Sequence, residues 1–232
     1  QKKHLFSMTQ SIAKKSMRGA FVAVTSLFFM WGFITVLVDA LIPRLKEVFE
    51  LTFLQAGLVQ FAWFAAYGLL SIPGGNLISR IGYQRGILVG LATAGLGCLL
   101  FFPAASTRLY PLFLLALFVV AGGITILQVA ANPYISVLGP EESASSRLNL
   151  SQAFNSFGTT LAPVVAASFL LGDQILGSDA IEALSDADRL AYYASEASAV
   201  QVPFVVLALS FFALAGVVGA ISLPKILGDD AE

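Results

Sequence analysis

The sequence predicts an all-α membrane protein, a bundle of six transmembrane helices. Three observations carry that prediction: too little charge to cover a water-soluble body, uncharged segments of spanning length, and an internal repeat spaced by three helices. The chain has 232 residues, of which 57% are hydrophobic and 12% charged. A soluble domain carries about 25% charged residues. Mean hydropathy is +0.83. These values exclude a soluble enzyme and a disordered chain. A formal net charge of -1 leaves no basic stripe for nucleic acid to follow. One cysteine, Cys98, excludes an internal disulfide framework and a multi-thiolate metal cluster.

Six long segments lack Asp, Glu, Lys and Arg: 19–38, 51–79, 86–107, 109–140, 148–172 and 197–224. A helix needs about 20 apolar residues to cross a hydrocarbon layer about 30 Å thick. Backbone amides in lipid must bond internally, and the alternation of barrel strands is missing, so the spans are helices. They are placed near 19–42, 53–77, 86–104, 110–138, 148–171 and 201–223, within a transmembrane region 19–223. On the third, Gly86, Gly90 and Ala94 recur at spacing four, which suits close packing within the molecule. Cys98 on the same helix reads as a small buried hydrophobe.

The basic residues predict orientation. With a cytoplasmic N-terminus, Lys2, Lys3, Lys14, Lys15, Arg18, Arg80, Arg85, Arg147 and Lys225 lie inside. Only Arg44, Lys46, Arg108 and Arg189 lie outside. Residues 1–18 are then a cytoplasmic tail, and 224–232 begin a cytoplasmic central loop. The expected location is the inner (cytoplasmic) membrane, with both ends of the chain cytoplasmic. Residues 173–200 form a periplasmic loop, acidic through Asp173, Asp179, Glu182, Asp186, Asp188 and Glu196, solvated and partly helical.

Shifting the sequence by 90 positions aligns Gly32–Pro43 (GFITVLVDALIP) with Gly122–Pro133 (GGITILQVAANP), with identity at six of 12 positions. The offset pairs helix 1 with helix 4. Three spans is an odd number, so the second unit enters the membrane upside down. The shared proline is expected to break or kink each first-of-three helix, because it removes an internal hydrogen bond.

A carboxylate inside a span is costly and marks a functional candidate. Asp39, in the outer part of helix 1, is the only acid placed within a span. It reads as a proton site, since low-dielectric surroundings favour a neutral carboxyl, or as an interfacial residue that ends the helix. His4 lies in the tail, so no histidine relay operates. No Ser–His pair, paired intramembrane aspartates, nucleotide loop or zinc motif is present, so no enzyme chemistry is expected.

Gln128 and Asn132 stand at i and i+4 on helix 4. Gln152, Asn155 and Thr159 stand at i, i+3 and i+7 on helix 5. Amides donate and accept, which suits sugar hydroxyls, although such residues also glue helices together. Trp31, Phe64 and Tyr67 offer flat apolar faces for a pyranose ring, or plain packing.

The stretch Gly75–Arg85 (GNLISRIGYQR) is similar to the loop between helices 2 and 3 of the major facilitator superfamily, with Gly75, Arg80, Gly82 and Arg85 at its signature positions. The three-plus-three inverted repeat is a hallmark of the same transporters. Ser79 stands where many members carry aspartate, and Tyr83-Gln84 where basic residues are usual. These departures weaken the charge-relay role assigned to the loop. Within the superfamily, FFMWGFIT (28–35), AANPY (130–134), LGPEESASSRLNLSQAFNSFGTT (138–160) and the Asp39–Pro43 segment resemble the fucose/glucose/galactose symporters. LFFMWGFIT and QVAANPY look more like the glucose/galactose branch than the fucose branch.

The resemblance implies a six-helix bundle that is the N-terminal half of a twelve-helix transporter, with the C-terminal half as its missing partner. It implies a secondary active symporter moving glucose, galactose or fucose by alternating access between the two halves. Asp39 matches the helix-1 acid of proton coupling, and Gln128 stands where the fucose branch has a glutamate. Gln152, Asn155 and Asn132 match polar positions of the sugar cavity. No cofactor is implied beyond the coupling ion. Because Gln128 replaces an acid, coupling runs through Asp39 alone or uses sodium. Sodium-coupled transport of these sugars or of N-acetylglucosamine, and a non-transporting six-helix sensor or partner protein, are the alternatives.

Overall fold

The computed structural model describes residues 18–40, 51–170, 176, 178–221 and 223. These form helices α1 (Arg18–Ala40), α2 (Phe53–Ile81), α3 (Tyr83–Thr107), α4 (Tyr110–Val137), α5 (Ala144–Leu170), the short α6 (Ser178–Glu182) and α7 (Asp186–Ala220). A single 3-10 turn, Glu141–Ser143, leads into α5. Among the described residues there is no strand.

Five of these helices, α1, α2, α3, α4 and α7, are long and apolar enough to cross a membrane. The fifth expected span differs. Helix α5 has 27 residues, about 40 Å of helix, but carries Asn149, Ser151, Gln152, Asn155, Ser156, Thr159 and Thr160. Its length is that of a span, and its composition is that of a helix with polar surroundings to satisfy.

Local sequence sets the helix ends. Thr52 caps α2 through a capping box: Gln55 N donates to Thr52 Oγ1 (3.3 Å) and Thr52 N to Gln55 Oε1 (2.9 Å). Gly82 ends α2 and starts α3 at φ 80°, a conformation that suits glycine. Arg108 ends α3 in the left-handed region at φ 51°, and its guanidinium lies 3.7 Å from the Tyr193 ring centroid. That cation–π contact joins the α3–α4 turn to α7.

Helix α4 forms the centre, packed on α2, α3 and α5, while α7 packs on α3. Helices α3 and α4 meet through small residues: a Cβ on Gly90 would stand 2.9 Å from the Gly123 carbonyl, and one on Gly97 2.6 Å from Val120 N. The α3 small-residue series therefore serves packing within the chain. Phe101 stacks on Phe204 (centroids 3.7 Å apart) and meets Phe113 edge-on (5.3 Å), locking α3, α7 and α4. Cys98 is buried.

The repeat is visible in the packing. Gly32 of α1 abuts the Asn155 backbone of α5, whereas its mate Gly122 of α4 abuts Leu70 of α2. Each repeat's first helix thus lies against the middle helix of the other repeat. Pro133 does not end α4, which runs on to Val137; the lost backbone bond is tolerated within a well-packed helix. Pro43 lies outside the described residues.

The largest difference from expectation is at α7. Residues 186–200, read as part of the periplasmic loop, continue the last helix, which has 35 residues and a length of about 52 Å. Ser185 caps it by accepting from Asp188 N (3.2 Å). Asp186 and Asp188 in the first turn complement its dipole. No glycine or proline interrupts 186–202. Charge ends a membrane span, but it does not end a helix. The helix stops at Ala220 rather than 223, and Gln84 Nε2 donates to the carbonyls of Val218 (2.9 Å) and Ile221 (2.8 Å) there.

Candidate functional site

Three helices bring polar and aromatic side chains together. Gln128 on α4 donates from Nε2 to the Tyr67 hydroxyl on α2 at 2.8 Å. Trp63, one turn before Tyr67, has its ring centroid 6.5 Å from the Tyr67 ring. The side chains of Trp31 on α1 and Trp63 both approach the same hydroxyl. Phe28 supports Trp31 at 5.8 Å. Gln128, Trp31 and Tyr67 are half-buried, so the cluster is reachable from one side and backed by protein on the other. It presents an amide, a phenol and indoles around one point, a set that hydrogen-bonds hydroxyls and stacks on the apolar face of a ring.

The other expected site residues divide. Asn132 lies one turn beyond Gln128 on α4, and its Oδ1 is buried without a hydrogen-bond partner among the described residues. A buried acceptor left unpaired is costly, so this atom is available to a donor from a ligand or water. Gln152 is half-buried on α5. Asn155 is used differently: its Nδ2 donates to the Phe28 carbonyl at 3.0 Å. Together with the Thr25 and Ser151 hydroxyls, 3.1 Å apart, it ties α5 to α1. Thr159 bonds within its own helix, donating to the Ser156 carbonyl. Phe64 is 67% exposed on the outside of α2; Trp63, which the sequence reading passed over, takes the inward place.

Asp39 stands apart from the cluster, eight residues beyond Trp31 on α1, about 12 Å along the helix. Its carboxylate accepts from Gln60 Nε2 on α2 at 3.0 Å. Both side chains are exposed in the isolated chain. Gln60 was not anticipated, because nothing in local sequence links positions 21 apart.

The loop residues also separate. Gly75 lies inside α2, where a Cβ would meet only Val129 Cγ1 at 3.9 Å. Gly82 needs its positive φ, while Arg80 and Arg85 are exposed. Arg147, at the start of α5, is a cation with four hydrogen bonds. It donates to the carbonyls of Ile135 (3.1 Å), Ser136 (2.6 Å) and Pro140 (2.9 Å), and to Ser143 Oγ (2.6 Å). It thereby satisfies carbonyls at the carboxyl end of α4. No cluster of His, Cys, Asp and Glu suited to a metal ion occurs among the described residues.

Two interlocked three-helix repeats, with polar and aromatic side chains converging from α1, α2 and α4, form a helical bundle of the kind found in the major facilitator fold. The chain belongs to the Major Facilitator Superfamily, whose family model matches residues 19–224. A relative from Brucella abortus (strain 9-941), named glucose/galactose transporter, is 50% identical over 222 residues, covering 96% of this chain and 50% of that protein. The L-fucose-proton symporter of Escherichia coli (strain K12) is 38% identical over 211 residues, covering 90% of this chain and 48% of that protein. The crystal structure of the E. coli fucose:proton symporter superposes with a TM-score of 0.80 at 36% identity, covering 90% of this chain and 50% of that one. A structure of the fucose symporter in the outward conformation gives 0.83 at 37% identity, covering 94% and 53%. The chain spans about half the length of the curated relatives it matches. Their names give no support to the sodium-coupled or the non-transporting alternative.

Proposed function

We propose that this chain is the N-terminal half of a proton-coupled hexose symporter of the cytoplasmic membrane. Its substrates are glucose, galactose or fucose, and it works by alternating access against a C-terminal six-helix half. The observation that carries the reading is the convergence of Trp31, Trp63, Tyr67 and Gln128 from three helices, in a chain whose relatives are named sugar transporters. A pyranose hydroxyl would exchange bonds with Gln128 and Tyr67, and Trp31 or Trp63 would cover the apolar face of the ring. Gln152 and the unpaired Asn132 Oδ1 supply further amide groups. Asn155 supports the site from behind by fixing α5 on α1.

The second half closes the cavity, and rocking of the halves exposes it to each side in turn. Asp39 binds the driving proton from the outer side and releases it inside; both ends of this chain are then cytoplasmic. The signature residues Gly75, Arg80, Gly82 and Arg85 lie at the inner side in this orientation. The test is uptake of labelled glucose, galactose, fucose and N-acetylglucosamine by cells expressing the full-length gene product. Accumulation of one or more hexoses, abolished by dissipating the proton gradient, supports the reading; no hexose uptake overturns it.

A further inference from the structure

We infer that Gln60 is the positioning residue for Asp39, holding its carboxyl group in both protonation states and linking it to the sugar-facing side of α2. The inference rests on the proton-coupled reading above and adds a residue and a route to it. Gln60 Nε2 donates to Asp39 Oδ1 at 3.0 Å, across the interface between α2 and α1. An amide is the neutral group that can serve both forms of its neighbour. Toward the carboxylate, its N–H donates. Once a proton from outer water has added to a carboxylate oxygen, rotation of the amide presents Oε1 to accept from the new O–H. When the proton leaves to inner water, the first bond returns, and no bond of the sugar is made or broken. A lysine at this position would hold Asp39 charged, another acid would compete for the proton, and an apolar residue would offer neither bond.

The placement of Gln60 gives that exchange a consequence. Gln60, Trp63 and Tyr67 stand at i, i+3 and i+7 on α2, so they share one face. The far end of that face is the Tyr67 hydroxyl bonded to Gln128. A shift of Gln60 with the charge of Asp39 therefore acts on the same helix face that meets the sugar.

The experiment compares net accumulation with counterflow in membranes containing the full-length protein. Counterflow exchanges labelled for unlabelled sugar with no net proton movement, so it reports folding, sugar binding and the conformational cycle. Wild type, Gln60→Leu, Gln60→Glu and Asp39→Asn are measured in parallel. Loss of a hydrogen bond to a charged group corresponds to about tenfold or more. Gln60→Leu is expected to lower the accumulation ratio about tenfold while counterflow stays within about twofold. Gln60→Glu, which keeps the length and hydrogen bonding but brings its own titration, is expected to accumulate sugar in between. If both Gln60 variants lose counterflow with accumulation, or both keep accumulation, the positioning role is overturned. Failure of the underlying reading looks different: wild type accumulates no hexose, or Asp39→Asn accumulates as wild type does.

Discussion

The α1–α5 crossing gives the sharpest stability prediction. A Cβ added at Gly158 would fall on the Phe29 carbonyl oxygen and stand 2.9 Å from Phe33 N. Ordinary contact begins at about 3.4 Å, and both obstacles are backbone, so neither can rotate aside. Gly158→Ala must push the two helix axes apart by roughly 1 Å, an overpacking cost of about 1–3 kcal/mol. The same displacement stretches the Asn155–Phe28 bond of 3.0 Å and the Thr25–Ser151 contact of 3.1 Å, each about 0.5–1.5 kcal/mol. Alanine's better helix propensity returns about 1 kcal/mol, leaving a net loss of about 1–5 kcal/mol. Gly57→Ala on α2 is the control, since nothing lies within 4 Å of its Cβ. The assay is thermal melting of the detergent-solubilised full-length protein, followed by the loss of its monodisperse chromatographic peak. Gly158→Ala should melt several degrees below wild type, and Gly57→Ala at or slightly above it. Equal melting of the two alanine variants would refute the packing argument.

The remaining predictions address the site and the topology. Tyr67→Phe and Gln128→Leu should each raise KM for sugar uptake, about tenfold for the loss of one hydrogen bond to substrate; the double variant should cost less than the sum, because the two groups share one bond. Additive effects in the uptake cycle would mean that the pair does not act together. Arg147→Met removes all four donations, two to the end of α4 and two to the turn that follows it, and should destabilise the protein by about 2–4 kcal/mol, with Arg147→Lys intermediate in melting temperature. Within these 232 residues Cys98 is the one cysteine, and it is buried, so single cysteines are placed on a full-length background cleared of any cysteines beyond this segment. A cysteine at Ser79 should be labelled by impermeant maleimide only in inside-out vesicles, and one at Ser198 only in intact cells.

Much of the bundle is written in the distribution of charge. Uncharged segments place α1 to α4 because lipid tolerates few ionised groups, and the 90-residue repeat anticipates the exchange in which Gly32 meets α5 and Gly122 meets α2. The site is only partly legible. Helical spacing puts Gln152, Asn155 and Thr159 on one face, yet it cannot say whether that face meets a cavity or another helix; Asn155 meets the α1 backbone. Trp63 and Phe64 are adjacent apolar letters, and only the packing of α2 on α4 decides which turns inward. The Asp39–Gln60 bond joins separate helices and leaves no local signal. Helix within 173–200 was expected, but its continuity with the last span was not, because its charges, which do end the apolar span, sit on a run of good helix formers.

Asp39 is the group proposed to bind the driving proton. The direct measurement is the pH of a lightly buffered suspension of de-energised cells expressing the full-length protein, recorded as hexose is added. Wild-type cells should show external alkalinisation as sugar and proton enter together, and cells with Asp39→Asn should show none while still exchanging labelled sugar. Sugar-dependent alkalinisation that persists unchanged in Asp39→Asn would contradict the account.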